Sequence, residues 1–168
     1  MDDHFRSVLV NFFSTHFNFN KLPAEYDGYN LFTDKPDSSE LKMLQAEAQR
    51  LVIEHLGQKC FDRLVAHRAW LCGSGPNYTM RSHNHANSAV SFVFYFQAEE
   101  GGDLILHDPR ANANRGYRAE FQEAFGLKDI EWTPQSGDII MFPSFLYHSV
   151  LKNRGTSTRI AVALDFYS

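Results

Sequence analysis

The apolar positions of this chain change their period after the first 60 residues. Between Ser38 and Gly57, the residues Leu41, Leu44, Ala48, Leu51, Val52 and Leu56 recur every three or four positions. That spacing puts side chains on one face of an α-helix. Ser38 or Ser39 can cap the start, Glu40 suits the first turn and Gly57 can end it, so the spacing predicts a helix over 38–57. Residues 4–13 can form a second short helix or an edge strand, and 18–36, with turns at Pro23, Gly28 and Pro36, reads as irregular. After Lys59 the apolar runs shorten and turn residues separate them. Strands are predicted over 64–72, 78–82, 89–97, 103–108, 129–133, 138–142, 147–151 and 158–166. Strands at this spacing predict a mainly β fold, a sandwich or barrel, with a flanking helix. No repeat, low-complexity tract or dividing linker interrupts the chain. It reads as a single domain over 1–168, with helical and irregular support over 1–60 and a β core over 61–168.

Strand parity separates a dry face from a polar one. In 89–97, Phe92, Phe94 and Phe96 alternate with Ser91, Val93 and Tyr95. In 158–166, Ile160, Val162, Leu164 and Phe166 alternate with Arg159, Ala161, Ala163 and Asp165. The phenylalanine and aliphatic faces belong to a core; the others can line a pocket in which small residues leave room and Arg159 points inward. An inward arginine calls for an anionic partner, because burying an unpaired charge is costly.

Composition removes several classes. Fifteen Phe among 168 residues suit layered packing. The net charge of −4, with 16 basic residues that form no run, leaves no electrostatic footprint for nucleic acid. Cys60 and Cys72, the two cysteines, imply no disulfide framework and read as small buried hydrophobes in a reducing, cytoplasmic setting. The acidic N-terminus is not that of a signal peptide, and no apolar stretch reaches the length of a membrane span. A homodimer is left open.

Candidate chemistry centres on His83 and His85. Residues two apart on an extended segment face the same way, with Cα atoms roughly 7 Å apart, so the pair can converge on one ion. His148, after the turns at Gly137-Asp138 and Pro143-Ser144, offers a third imidazole. Neutral imidazoles bind iron, zinc, copper or nickel, and a site with open positions is catalytic in style. His4, His16, His55 and His67 read as structural. Arg159, eleven residues after His148 on the pocket face, ties the pattern together.

The stretches "SHNHANSAVSFVFYFQAEEGGDLILHDPR", "PQSGDIIMFPSFLYHSVLKN" and "TRIAVALDF" together resemble the iron(II)- and 2-oxoglutarate-dependent oxygenases. Within that superfamily the chain is most similar to a group of small oxygenases of phage and bacteria. The resemblance covers Trp70 to Phe166 and implies a double-stranded β-helix, or jelly-roll, barrel. It implies His83 and His148 as iron ligands and Arg159 as the partner of the far carboxylate of 2-oxoglutarate, a task suited to a planar guanidinium. Tyr95 would hydrogen-bond the same carboxylate. The implied reaction consumes O2, with ascorbate as the reductant in vitro, and hydroxylates a C–H bond of a small molecule or a peptide or protein side chain. One departure stands out: the superfamily's usual His-x-Asp or His-x-Glu carboxylate is replaced by His85. Three completions are open, namely His85 as a third imidazole, a carboxylate from Asp108 or Asp103, or water. Parity favours His85.

Two other classes share parts of the pattern. A cupin offers His-x-His and a late histidine but needs no arginine after the last ligand; a metal-free jelly-roll module would use the histidines structurally. The polar segment over 109–131 reads as a flap whose Arg110, Arg115 and Arg118, with Tyr117, could favour an acidic substrate, or could be a solvated loop.

Overall fold

The computed structural model describes residues 3–16, 30–98, 101–110 and 116–168. In chain order the elements are α1 (Asp3–His16), α2 (Leu31–Asp34), α3 (Ser39–Leu56), α4 (Gln58–Phe61), β1 (Val65–Ser74), β2 (Met80–His83), β3 (Val90–Gln97), β4 (Leu104–Leu106), α5 (Ala119–Ala124), β5 (Ile130–Trp132), β6 (Ile139–Pro143), β7 (His148–Val150) and β8 (Arg159–Tyr167). Among the described residues the strands form two four-stranded antiparallel sheets, β1-β8-β3-β6 and β2-β7-β4-β5. This is the jelly-roll arrangement.

The dry face of the first sheet packs on helices, not on the second sheet. Phe92, Phe94 and Phe96 of β3 and Ile160, Val162, Leu164 and Phe166 of β8 form one cluster with Leu9, Phe12 and Phe13 of α1 and Leu41, Leu44, Ala48 and Val52 of α3. Phe13 meets Phe96 with ring centroids 4.9 Å apart. Fully burying a side chain such as Phe92 stabilises the fold by roughly 1.5–3 kcal/mol. Because that work is done outside the sandwich, the space between the sheets is left for a cavity.

Helix α3 starts as its sequence directs: Ser38 Oγ accepts from Leu41 N at 3.2 Å and Gly57 caps the far end. Leu56, expected on the buried stripe, is exposed, because the helix ends there. Residues 4–13 fall within the helix α1, not an edge strand. Of the segment expected to be irregular, Pro23 and Gly28 lie outside the described residues, while α2 forms under an Asn30 cap. Asn30 also ties α2 to β1, donating from Nδ2 to the His67 carbonyl at 3.2 Å and accepting from Ala69 N at 3.3 Å. Cys60 is exposed and Cys72 half-buried, which corrects the expectation that both are buried. Among the described residues no helix is long and apolar enough to cross a membrane.

Candidate metal centre

His83 ends β2 and His148 begins β7, and the two are register partners across the antiparallel pair. Directly opposed residues share a face, and the rings lie with centroids 4.3 Å apart. His85 sits past the strand end, where its N–H donates to the Ser144 carbonyl at 3.1 Å. Its ring centroid is 5.4 Å from that of His83 and 4.9 Å from that of His148. One nitrogen from each ring lies within 4.8 Å of the other two, a spacing three ligands of one ion can adopt.

The partners of the remaining nitrogens fix which ones face inward. His83 Nδ1 lies 2.9 Å from the Arg81 carbonyl and His148 Nδ1 lies 3.1 Å from the Leu146 carbonyl. A carbonyl only accepts, so both Nδ1 atoms carry the proton and both Nε2 atoms keep a lone pair. His85 Nδ1 meets Asp165 Oδ1 at 2.9 Å and Ser91 Oγ at 3.0 Å. Asp165 is buried and further held by Ser91 Oγ at 2.6 Å and Ser88 Oγ at 3.1 Å. A carboxylate behind an imidazole sets its tautomer and the orientation of its ring. Burial pushes the pKa of His148 down to about 4, so at neutral pH its ring is uncharged, the form that binds a metal.

The three imidazoles open onto a cavity of about 850 Å³ between the sheets, lined by Trp70, Val93, Tyr95, Ala161, Ala163 and Arg159 among others. Arg159 is 5% exposed. Its Nη1 donates to the Gly102 carbonyl at 3.0 Å, its Nε has no partner, and its guanidinium carbon lies 5.3 Å from the centre of the Tyr95 ring. Burial pushes the Tyr95 phenol up to about 12, so it remains a hydrogen-bond donor. Gly102 makes this placement possible: with φ of +73°, it would bring a Cβ within 3.2 Å of Arg159 Cδ.

The carboxylate alternatives stand elsewhere. Asp108 accepts from Arg110 N, Nε and Nη2 at 2.8, 3.0 and 2.9 Å. Its own N–H donates to Asp129 Oδ1 at 2.8 Å, so it pins the base of the flap. Asp103 faces Arg154 at 3.5 Å. Arg110 also donates to the Gly126 carbonyl at 3.0 Å, Arg118 is exposed at the start of α5, and Arg115 lies outside the described residues. Neither Arg110 nor Arg118 lines the cavity; among the described residues the arginines that do are Arg68, Arg81 and Arg159. Of the histidines read as structural, His4 and His55 are exposed and His67 packs edge-on to Tyr167 at the cavity rim. Sequence reasoning missed the roles of Asp165 and Gly102. Parity had already put Asp165 on the pocket face, and the paired glycines were the only local signal for the second.

The donor set suits a divalent transition metal, and the half-satisfied guanidinium suits an oxyanion bound beside it. Comparison with known proteins agrees. No curated protein sequence matches this chain. Among solved structures it is similar to an oxidoreductase of the 2OG-Fe(II) oxygenase family from Burkholderia pseudomallei, at 16% identity and a TM-score of 0.59, covering 77% of this chain and 56% of that one. It is also similar to a Pseudomonas putida prolyl-4-hydroxylase, at 16% identity and a TM-score of 0.64, over 98% of this chain and 86% of that one. HygX from Streptomyces hygroscopicus, a structure with nickel and 2-oxoglutarate bound, matches at 13% identity and a TM-score of 0.60, over 99% and 79%. The chain therefore spans little more than half the length of the first of these, and identities this low speak for the fold. Residues 68–165, more than half of the chain, match the family described as "Putative 2OG-Fe(II) oxygenase". The chain belongs to the 2OG-Fe(II) oxygenase family, whose metal is iron(II) and whose cosubstrate is 2-oxoglutarate.

Proposed function

We propose that this protein hydroxylates a C–H bond of a small molecule or a peptide side chain, with iron(II) held by Nε2 of His83, His85 and His148. The observation that carries the reading is Arg159, a buried guanidinium with an unpartnered Nε on the same cavity as the imidazoles. A metal site that used no cosubstrate would have no need of it. Bound there, iron(II) and 2-oxoglutarate would supply the oxidative chemistry, in which O2 and 2-oxoglutarate give succinate and carbon dioxide while one oxygen atom enters the substrate.

The chain's own share is positional. Arg159 would offer its fork to the far carboxylate, and Tyr95, whose ring centre lies 5.3 Å from the guanidinium carbon, would support it. Asp165, Ser91 and Ser88 hold His85 so that its lone pair faces the other two rings. Ala161 and Ala163 leave the floor open for a small dicarboxylate, and Trp70 closes one wall, its ring centroid 5.1 Å from that of His85. A dry wall strengthens each charge interaction inside the cavity.

The direct test is 2-oxoglutarate consumption by purified, iron(II)-loaded protein with ascorbate and O2. Slow turnover to succinate is expected without any added substrate. Complete indifference to 2-oxoglutarate in folded, metal-loaded protein would move the reading to a three-imidazole metal enzyme of the cupin kind.

A further inference from the structure

The outer face of the second sheet carries another cluster of reactive side chains. Leu104, His148 and Val150 line the metal cavity, so the alternate residues Ile105 and Ser149 face away from it. Strands β4 and β7 pair without irregularity, Ile105 opposite Ser149, and the His107 N–H extends the ladder to the Tyr147 carbonyl at 2.8 Å. On the other side of β4, Ile105 pairs with Glu131 of β5, and Asp129 lies just before that strand. Three neighbouring strands thus bring together one carboxylate, one imidazole and one hydroxyl. His107 Nδ1 lies 2.9 Å from Asp129 Oδ2, and His107 Nε2 lies 3.0 Å from Ser149 Oγ. The other Asp129 oxygen accepts from Asp108 N at 2.8 Å. Partial burial acts to raise the Asp129 carboxyl, but the Asp108 N–H and the His107 ring hold it below its usual value, so it is ionised at neutral pH. A carboxylate only accepts, so Nδ1 carries the proton and Nε2 keeps a lone pair that faces the serine hydroxyl. The His107 and Asp129 side chains are 31% and 47% exposed and Ser149 is half-buried, so a small molecule can reach the row from solvent.

We propose that Ser149, His107 and Asp129 form a second reactive site, in which Ser149 takes an acyl group from an activated carboxylic ester or thioester. Nucleophile, base and orienting carboxylate stand in the order that acyl transfer requires. Ser149 Oγ bonds to the carbonyl carbon as its proton passes to His107 Nε2. The bond to the leaving alcohol or thiol breaks, and that group takes the proton from His107. Water, giving a proton to the same nitrogen, then attacks the acyl-serine, and the proton returns to Ser149 Oγ as the carboxylic acid leaves. The sum is one ester and one water to one acid and one alcohol or thiol. Base assistance of this kind is worth roughly 10²–10⁴ in rate. Donors aimed at the developing oxyanion, worth roughly another 10²–10³, are not part of the cluster. That confines the substrate to esters with a good leaving group and excludes peptide bonds. Ile105, directly opposite the nucleophile, offers apolar surface for a short acyl chain.

A polar network that merely pinned the base of the flap would show the same hydrogen bonds, so the test reads covalent chemistry. Full-length, iron(II)-loaded, anaerobic protein is mixed with p-nitrophenyl acetate and, separately, with a biotinylated fluorophosphonate, and the modified residue is located by peptide mass spectrometry. Release of p-nitrophenolate is expected, with the acetyl and the phosphonyl group both on Ser149. The rate of labelling at Ser149 should fall by about 100-fold or more in His107→Gln. Asp129→Asn frees the other tautomer and should lower it by about tenfold or more. Circular dichroism confirms that each variant is folded. Labelling of wild-type protein that spares Ser149 overturns the proposal, and this outcome does not depend on how any variant folds. Ser149 labelled as fast in folded His107→Gln as in wild type overturns it too. So does ester cleavage that continues unchanged in Ser149→Ala, because it would then come from the metal centre or from another imidazole.

Discussion

Arg159→Ala is expected to weaken 2-oxoglutarate binding by roughly 30-fold or more while leaving metal affinity nearly unchanged. Truncating one partner of a buried charge pair typically costs about 2–5 kcal/mol, much of it the cost of the stranded charge. Here the stranded group would be the far carboxylate of the cosubstrate, in a cavity also lined by Tyr95, Ala161 and Ala163. Arg159→Lys keeps the charge but loses the fork and the contact with the Gly102 carbonyl, so it should fall between alanine and wild type. Gly102→Ala should show a smaller loss of the same kind, because its Cβ would press on Arg159 Cδ and strain a backbone at φ of +73°. The measurement is titration of iron(II)-loaded, anaerobic protein, followed by the metal-to-ligand absorption band of the 2-oxoglutarate chelate, with circular dichroism to confirm folding. Wild-type affinity in folded Arg159→Ala would remove the cosubstrate from the place assigned to it.

How much of this was legible in the sequence depends on how local the cause is. Helix α3 carries its own period and caps, and β3 and β8 carry a two-residue alternation that separates Phe92 from Ser91 and Ile160 from Arg159 before any fold is known. What covers each face is not local. The phenylalanines suggested sheet against sheet, but α1 and α3 cover them, and nothing within β3 says whether a helix or a sheet will do so. Asn30 likewise reads as a loop residue until β1 passes within hydrogen-bonding distance.

The candidate site divides along the same line. The three histidines and Arg159 could be singled out by type and spacing, but that His83 and His148 face each other is a fact of strand register. The flap arginines show the converse. Their charge suggested substrate contact, yet Arg110 is satisfied two residues back by Asp108, an ion pair that closes locally, and Arg115 lies outside the described residues. Loop charge says what a segment can bind, not what it faces.

His83→Ala and His148→Ala should each abolish iron(II) binding, while His67→Ala, at the rim and outside the cluster, should leave it unchanged. Removing His83 would leave two imidazoles with ring centroids 4.9 Å apart, and removing His148 would leave two at 5.4 Å. Two neutral donors alone compete poorly with water for a divalent ion. His85→Ala should show a weaker but clear loss, because His85 is held by a loop and not by strand pairing. Asp165→Asn tests how that loop histidine is aimed. The amide can donate to Nδ1 as readily as accept from it, so part of the population should carry its proton on Nε2, where it blocks ligation. A loss of about 10–100-fold in metal affinity is expected from such a change behind a ligand. Metal affinities come from anaerobic iron(II) titration, and the tautomer from ¹⁵N shifts of the His85 ring in metal-free protein. Equal iron content across the folded His83, His148 and His67 variants would contradict the assignment outright. If His85→Ala binds iron normally while Asp108→Ala does not, a carboxylate completes the site. Asp108 would then have to leave Arg110 to reach the metal, and the flap that the pair anchors would move with it.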